Sequence, residues 1–128
     1  MPYTFGTVVY GSIEDAEKLV TSALADEGFG VLTRIDVKAT FKAKLGIDVD
    51  PYVILGSCNP TLSHSAIEAE PDVGALLPCN VVLRSSGNSV AVRVMDPTAA
   101  MGIVGNPVVD AVGVQARAAL ERVVKSIS

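Results

Sequence analysis

The sequence predicts an α+β fold over a single domain, residues 1–128, in the order strand, helix, four strands, helix. This is an antiparallel-rich sheet with helices packed on one face. Three observations point there. Apolar residues recur at helical spacing near the start of the chain and again along its end. Between these stretches lie short apolar segments bounded by Gly, Pro, Asn and Ser, as strands are. And 49% of the 128 residues are apolar against 19% charged, enough to build a core and too apolar for a disordered chain. With no Trp, three Phe and three Tyr, that core is aliphatic.

Tyr3 to Val9 is a β-rich opening. Ser12 caps a helix, with Asp15 three residues on completing a capping-box-like start. Ile13, Ala16, Leu19, Val20, Ala23 and Leu24 form its stripe, and Gly28 stops it, because glycine enters the left-handed region cheaply. Val31 to Val37 alternates as a strand does, with Asp36 inside it as a structural carboxylate or a polar group in a cleft. Ala39 to Leu45 reads as a short helix ended by Gly46, and Asp48-Val49-Asp50-Pro51 as a turn. Tyr52 to Gly56 is a short apolar strand. Asn59 and Pro60 then start a helix to about Glu70, with Leu62, Ala66, Ile67 and Ala69 as its apolar arc. Val73 to Leu77 leads to a further strand.

Val81–Arg84 and Ser89–Met95 flank Ser85-Ser86-Gly87-Asn88, a hairpin turn. Pro97 to Val104 is small and apolar, broken by Gly102 and Gly105, and Met95 to Val104 could line a pocket or a dimer interface. Asn106-Pro107 repeats the cap-plus-proline start. The last helix places Val109, Val112, Ala116, Leu120, Val123 and Ile127 on one stripe, with Asp110 early and Arg122 and Lys125 late, as the helix dipole favours.

The net charge of −4 argues against nucleic acid, whose binding depends on neutralising phosphates, and against an anionic membrane surface. Met1-Pro2-Tyr3-Thr4-Phe5 is not a secretory start, and no apolar run approaches the ~18 residues of a membrane span. The expected compartment is the cytoplasm, where thiols stay reduced. Lys38, Lys42 and Lys44 cluster near the short helix, as an anion site or a solvated face. The glycines at 102 and 105 form no phosphate loop, since no Lys-Ser or Lys-Thr follows them.

Chemistry concentrates at two Cys-Asn pairs. Cys58-Asn59 follows Gly56-Ser57, and Cys79-Asn80 follows Leu77-Pro78. Both pairs end apolar segments at turns. Several longer segments also match a known pattern. Glu27-Gly28-Phe29-Gly30-Val31-Leu32-Thr33-Arg34-Ile35-Asp36-Val37-Lys38, Lys44-Leu45-Gly46, Tyr52-Val53-Ile54-Leu55-Gly56-Ser57-Cys58-Asn59-Pro60, His64 and Gly74-Ala75-Leu76-Leu77-Pro78-Cys79-Asn80-Val81-Val82 together resemble the domain-of-unknown-function 302 family. The resemblance covers roughly residues 5 to 97. Ser57 departs from it, standing where that pattern often has Ala before the cysteine. The resemblance implies a fold similar to that of the TATA-binding protein in a single copy, and a homodimer. It implies neither DNA binding nor any reaction.

Three readings of the Cys-Asn region follow. Cys58, His64 and Cys79 are the softest donors, suited to Zn, Cu(I) or haem iron, although their spacing matches no metal motif. Cys58, just before a helix start, could be an activated thiol with Cys79 as its resolving partner. Or the region is a binding surface without catalysis, for a small molecule or a protein partner. The candidate site is then Cys58, Asn59, His64, Cys79 and Asn80, with the asparagines holding the loops through side-chain to backbone hydrogen bonds. No particular cofactor is indicated. In the bland alternative, the cysteines are small buried residues that end strands and His64 lies on the surface.

Overall fold

A computed structural model describes residues 2–128. Its centre is a five-stranded sheet in the order β1-β5-β4-β3-β2, antiparallel at every pairing. The strands are β1 Thr4–Tyr10, β2 Gly30–Asp36, β3 Tyr52–Cys58, β4 Cys79–Ser86 and β5 Ser89–Met95. The helices are α1 Ile13–Asp26, α2 Val37–Leu45, α3 Pro60–Ala69, α4 Pro97–Met101 and α5 Pro107–Ile127, with a 3-10 turn at Pro71–Leu76. The α+β class and the antiparallel sheet are those expected. No helix among the described residues is long and apolar enough to cross a membrane.

Local chemistry explains most boundaries. Ser12 caps α1 by accepting from the Asp15 amide. Gly28 ends it at φ +81°, with the Phe29 amide reaching back to the Leu24 carbonyl. Asn59 and Asn106 cap α3 and α5, accepting from the Leu62 and Val108 amides. The β4–β5 hairpin turns through Gly87 and Asn88, with Ser86 opposite Ser89 and Gly87 at φ +61°.

Alternation sets the two faces of the sheet. Val53, Leu55, Val81, Leu83, Val90, Val92 and Val94 point to one side and are buried under α1 and α5. A second, smaller core joins Ala66, Val73, Met101, Val109 and Val112 between α3, the 3-10 turn, α4 and α5. The other side of the sheet carries no long helix. Val8 and Ile35 stand exposed there. Val37 and Phe41 of α2 flank a cleft beside Tyr52, Ile54 and Arg84.

Several expectations change. Leu19 was placed on the α1 stripe but is 45% exposed, and Ile67 of the α3 arc is 43% exposed, because each helix buries a narrower face than its apolar content suggests. Asp36 is not mid-strand: it caps α2, accepting from the Ala39 amide, so Val37 begins the helix rather than ending β2. Arg34 instead pairs with Glu17 of α1 at 2.8 Å. Lys38 donates to the Val49 carbonyl and Lys42 meets Asp48, so both fasten the loop before β3. The stretch from Pro97 contains a short helix, α4, capped by Asp96.

Candidate functional site: a cavity lined by sulfur

The register of the two central strands determines where the cysteines meet. Ser57 of β3 lies opposite Cys79 of β4, and Cys58 is the last residue of β3. Leu55 and Val81, the pair two residues further along, both point into the core, so Ser57 and Cys79 do too. Ser57 is fully buried, and its hydroxyl donates to the Cys79 carbonyl at 2.9 Å. A buried hydroxyl needs such a partner, and here the neighbouring strand supplies it. That bond lets a polar side chain sit at this buried position.

Glycine at position 56 has a steric cause. A Cβ there would strike Thr33 Oγ1 and come within 2.7 Å of Pro78 Cγ. The chain can therefore close over this point only where no side chain projects. Asn59 likewise sits close over Gly28, whose absent Cβ would be 3.1 Å from Asn59 Nδ2. Two of the recognisable motifs are thus packed against each other at the start of α3.

Cys58 emerges from the end of β3 half-buried, with its Sγ 2.9 Å from Ser63 Oγ. Ser63 also lies 2.9 Å from the Asn59 carbonyl, to which its hydroxyl donates. This leaves the Ser63 oxygen to accept from the thiol. Cys79 is buried, and its thiol is pushed up to about 11 from an ordinary 9.0, first by burial and then by the nearness of Cys58. Cys79 is therefore a neutral thiol at physiological pH.

Both cysteines line one half-enclosed cavity of about 30 Å³ between the end of the sheet and helices α3, α4 and α5. Ser57, Asn59, Leu62, Ala66 and Met101 share its wall. Room for a water needs roughly 10–15 Å³ on this measure, so the space holds about two. Met101 is 2% exposed and was not among the residues singled out from sequence. It lies in the Met95–Val104 stretch that could line a pocket, and it reaches this cavity because α4 docks on α5. Gly113 permits that docking: a Cβ there would be 3.1 Å from both Met101 Cβ and the Pro97 carbonyl.

The structure thus brings Cys58, Asn59 and Cys79 to one cavity, and places the other two candidates elsewhere. His64 is exposed on α3, 3.5 Å from Glu68 one turn on. Asn80 is exposed, opposite Gly56 on the uncovered side of the sheet. Among the described residues no three His, Cys, Asp or Glu side chains gather in one place.

Beside the cavity, Asp96 is 8% exposed and holds α4 to α5. Burial raises its pKa, but hydrogen bonds from Thr98 and the charge of Arg117 outweigh this, and the net shift is downward. Arg117 also pairs with Glu121 and lies 4.2 Å from the Phe5 ring centroid. No buried side-chain polar atom among the described residues lacks a partner.

These features define a class: a small α+β protein with one antiparallel sheet and a thiol-lined cavity at the junction of its two cores. The pattern of the family described as "Domain of unknown function DUF302" matches residues 5–127, and the chain belongs to that family. Its fold is that of an uncharacterized conserved DUF302 protein from Bacillus stearothermophilus, known from a crystal structure. The TM-score is 0.91 at 23% identity, with 100% of each chain covered. No curated protein matches the sequence.

Proposed function

We propose that this chain is a binding protein that holds a small ligand in the cavity beneath the start of α3, and that it works as a cytoplasmic homodimer without catalysing a reaction. The observation that carries the reading is the convergence of Cys58, Asn59 and Cys79, distant in sequence, on a single half-enclosed space. The neutral state of Cys79 makes it a poor resolving partner for Cys58, since the thiolate is the nucleophile, and so favours binding over thiol catalysis. A space of about 30 Å³ favours a very small ligand over haem. Free thiols suit a reducing compartment. The dimer would form over the uncovered side of the sheet, where Val8 and Ile35 add apolar surface to that of Phe41 and Leu45 on α2.

Methyl methanethiosulfonate labelling of the native protein, read by intact mass, tests the site. Cys58 should label without denaturant and Cys79 more slowly. If both label only after unfolding, nothing reaches the cavity and the reading fails. Sedimentation of the native protein and of Ile54→Lys tests the dimer: the native protein should run as two copies and the variant as one.

A further inference from the structure

Met101 adds a third sulfur to the two thiols. It is a thioether carried by α4, facing the same cavity as Cys58 of β3 and Cys79 of β4. Three residues with soft donors, from three elements, thus line one space of about 30 Å³. The rest of the wall is largely apolar, including Leu62, Ala66 and Val112.

We propose that the cavity is a site for a soft monovalent d10 cation, Cu(I) being the natural case, held by Cys58 Sγ, Cys79 Sγ and Met101 Sδ. The inference rests on the reading of the cavity as a binding site and names its ligand class. Thiolate and thioether donors select Cu(I) over hard cations. Zn(II) wants four ligands in a tetrahedron, from Cys, His or carboxylate, and His64 lies on the exposed face of α3. The wall offers no carboxylate and no imidazole, so Ca(II) and Mg(II) lack the charged oxygen ligands they need.

Binding is a ligand exchange with no change of oxidation state. The cation leaves its carrier, two S–H bonds break, two metal–thiolate bonds and one metal–thioether bond form, and two protons pass to solvent. The complex carries one negative charge. Cys58 stands immediately before the cap of α3, so the positive end of that ten-residue helix faces the new charge. Ser63 Oγ, 2.9 Å from Cys58 Sγ, can turn its hydrogen to the thiolate once the thiol proton has gone. Cys58 is half-buried, which leaves a way in for a cation handed over by another thiol.

The test is a Cu(I) titration of the reduced, full-length protein without oxygen, against the chromogenic chelator bicinchoninate. The native chain should withdraw one Cu(I) per polypeptide and develop near-ultraviolet sulfur-to-copper absorption. X-ray absorption should find sulfur neighbours only. Cys58→Ser should lose this binding. Met101→Leu, close in volume to the native side chain, should leave the copper with the chelator at concentrations where the native protein wins it. His64→Ala should bind as the native protein does. Cys79→Ser alters a buried position, so Cys58→Ser and Met101→Leu decide the matter if it does not fold. The inference is overturned if the native protein withdraws no copper, or if Cys58→Ser or Met101→Leu binds as well as native. When copper is refused but Cys58 still labels in the folded protein, this inference falls and the binding reading stands. If neither occurs, both fall.

Discussion

Replacing Cys79 with alanine should change how stability depends on alkaline pH. The thiol is 7% exposed in the fold and is pushed up to about 11, against 9.0 when unfolded. The folded state therefore keeps its proton over a range where the unfolded state has lost it. A raised value of this kind leaves stability intact below pH 9 and removes it between pH 9 and about 11. At about 1.4 kcal/mol for each pH unit of separation, the native protein should lose about 1.4 kcal/mol by pH 10 and about 3 kcal/mol in full. Cys79→Ala removes the sulfur and should cost about 1–2 kcal/mol at pH 8, where the thiol is neutral in both states. As pH rises the native protein alone pays this ionisation cost, so the two stabilities converge and then cross near pH 10. Urea unfolding followed by far-ultraviolet circular dichroism, under reductant at pH 8, 9 and 10, reads the difference directly. Parallel curves would show that Cys79 is not held neutral by its surroundings and would refute the reasoning.

Gly56→Ala should destabilise the fold by about 1–3 kcal/mol in urea unfolding, with part recovered in a Thr33→Ala background, because Thr33 Oγ1 is the nearest obstacle. Asn59→Ala should cost about 1 kcal/mol by the same measurement, as the Leu62 amide loses its cap. Arg117→Met, which keeps the apolar stem, should cost about 1–3 kcal/mol at neutral pH by leaving Asp96 buried beside fewer donors. Because the Asp96 carboxyl is held below its ordinary value, its contribution is present above that value and fades as pH falls through the folded one. Thermal unfolding between pH 6 and pH 3 should therefore show a shallower acid limb for Arg117→Met than for the native protein.

Helix starts were the most legible part of the sequence, because a cap is a local bargain between one side chain and two or three amides. Ser12, Asn59 and Asn106 all cap where their neighbours suggest. Asp96-Pro97 carries the same signature and does begin α4, yet Gly102 and Gly105 nearby make that stretch read as loop. Asp36 shows the opposite difficulty: alternation from Val31 runs through it without a break, and only the hydrogen bond to the Ala39 amide reveals the helix start. The cysteines and Asn59 could be singled out as chemistry-bearing residues beside turns. Their meeting could not, since it depends on Ser57 pairing with Cys79 across two strands. Met101 lies in a stretch that reads as possible pocket lining, but its meeting with the cysteines depends on tertiary packing in the same way. His64 shares a family motif with the cysteines but faces away from them, because a helix turns about 100° per residue and position 64 falls opposite Ala66.

The placement of β1 has a consequence for how the chain folds. Thr4 pairs with Met95, and the first strand can find its neighbour only after most of the chain has been made. The β4–β5 hairpin closes over a two-residue turn and can form alone within microseconds. Its strands are neighbours in sequence, so pairing them closes a short loop. On a ribosome, the opening strand and α1 must wait with their apolar stripe uncovered until β5 emerges. At the usual five to twenty residues per second that wait lasts several seconds. Glu14 and Asp15 at the start of α1 put charge on this early segment.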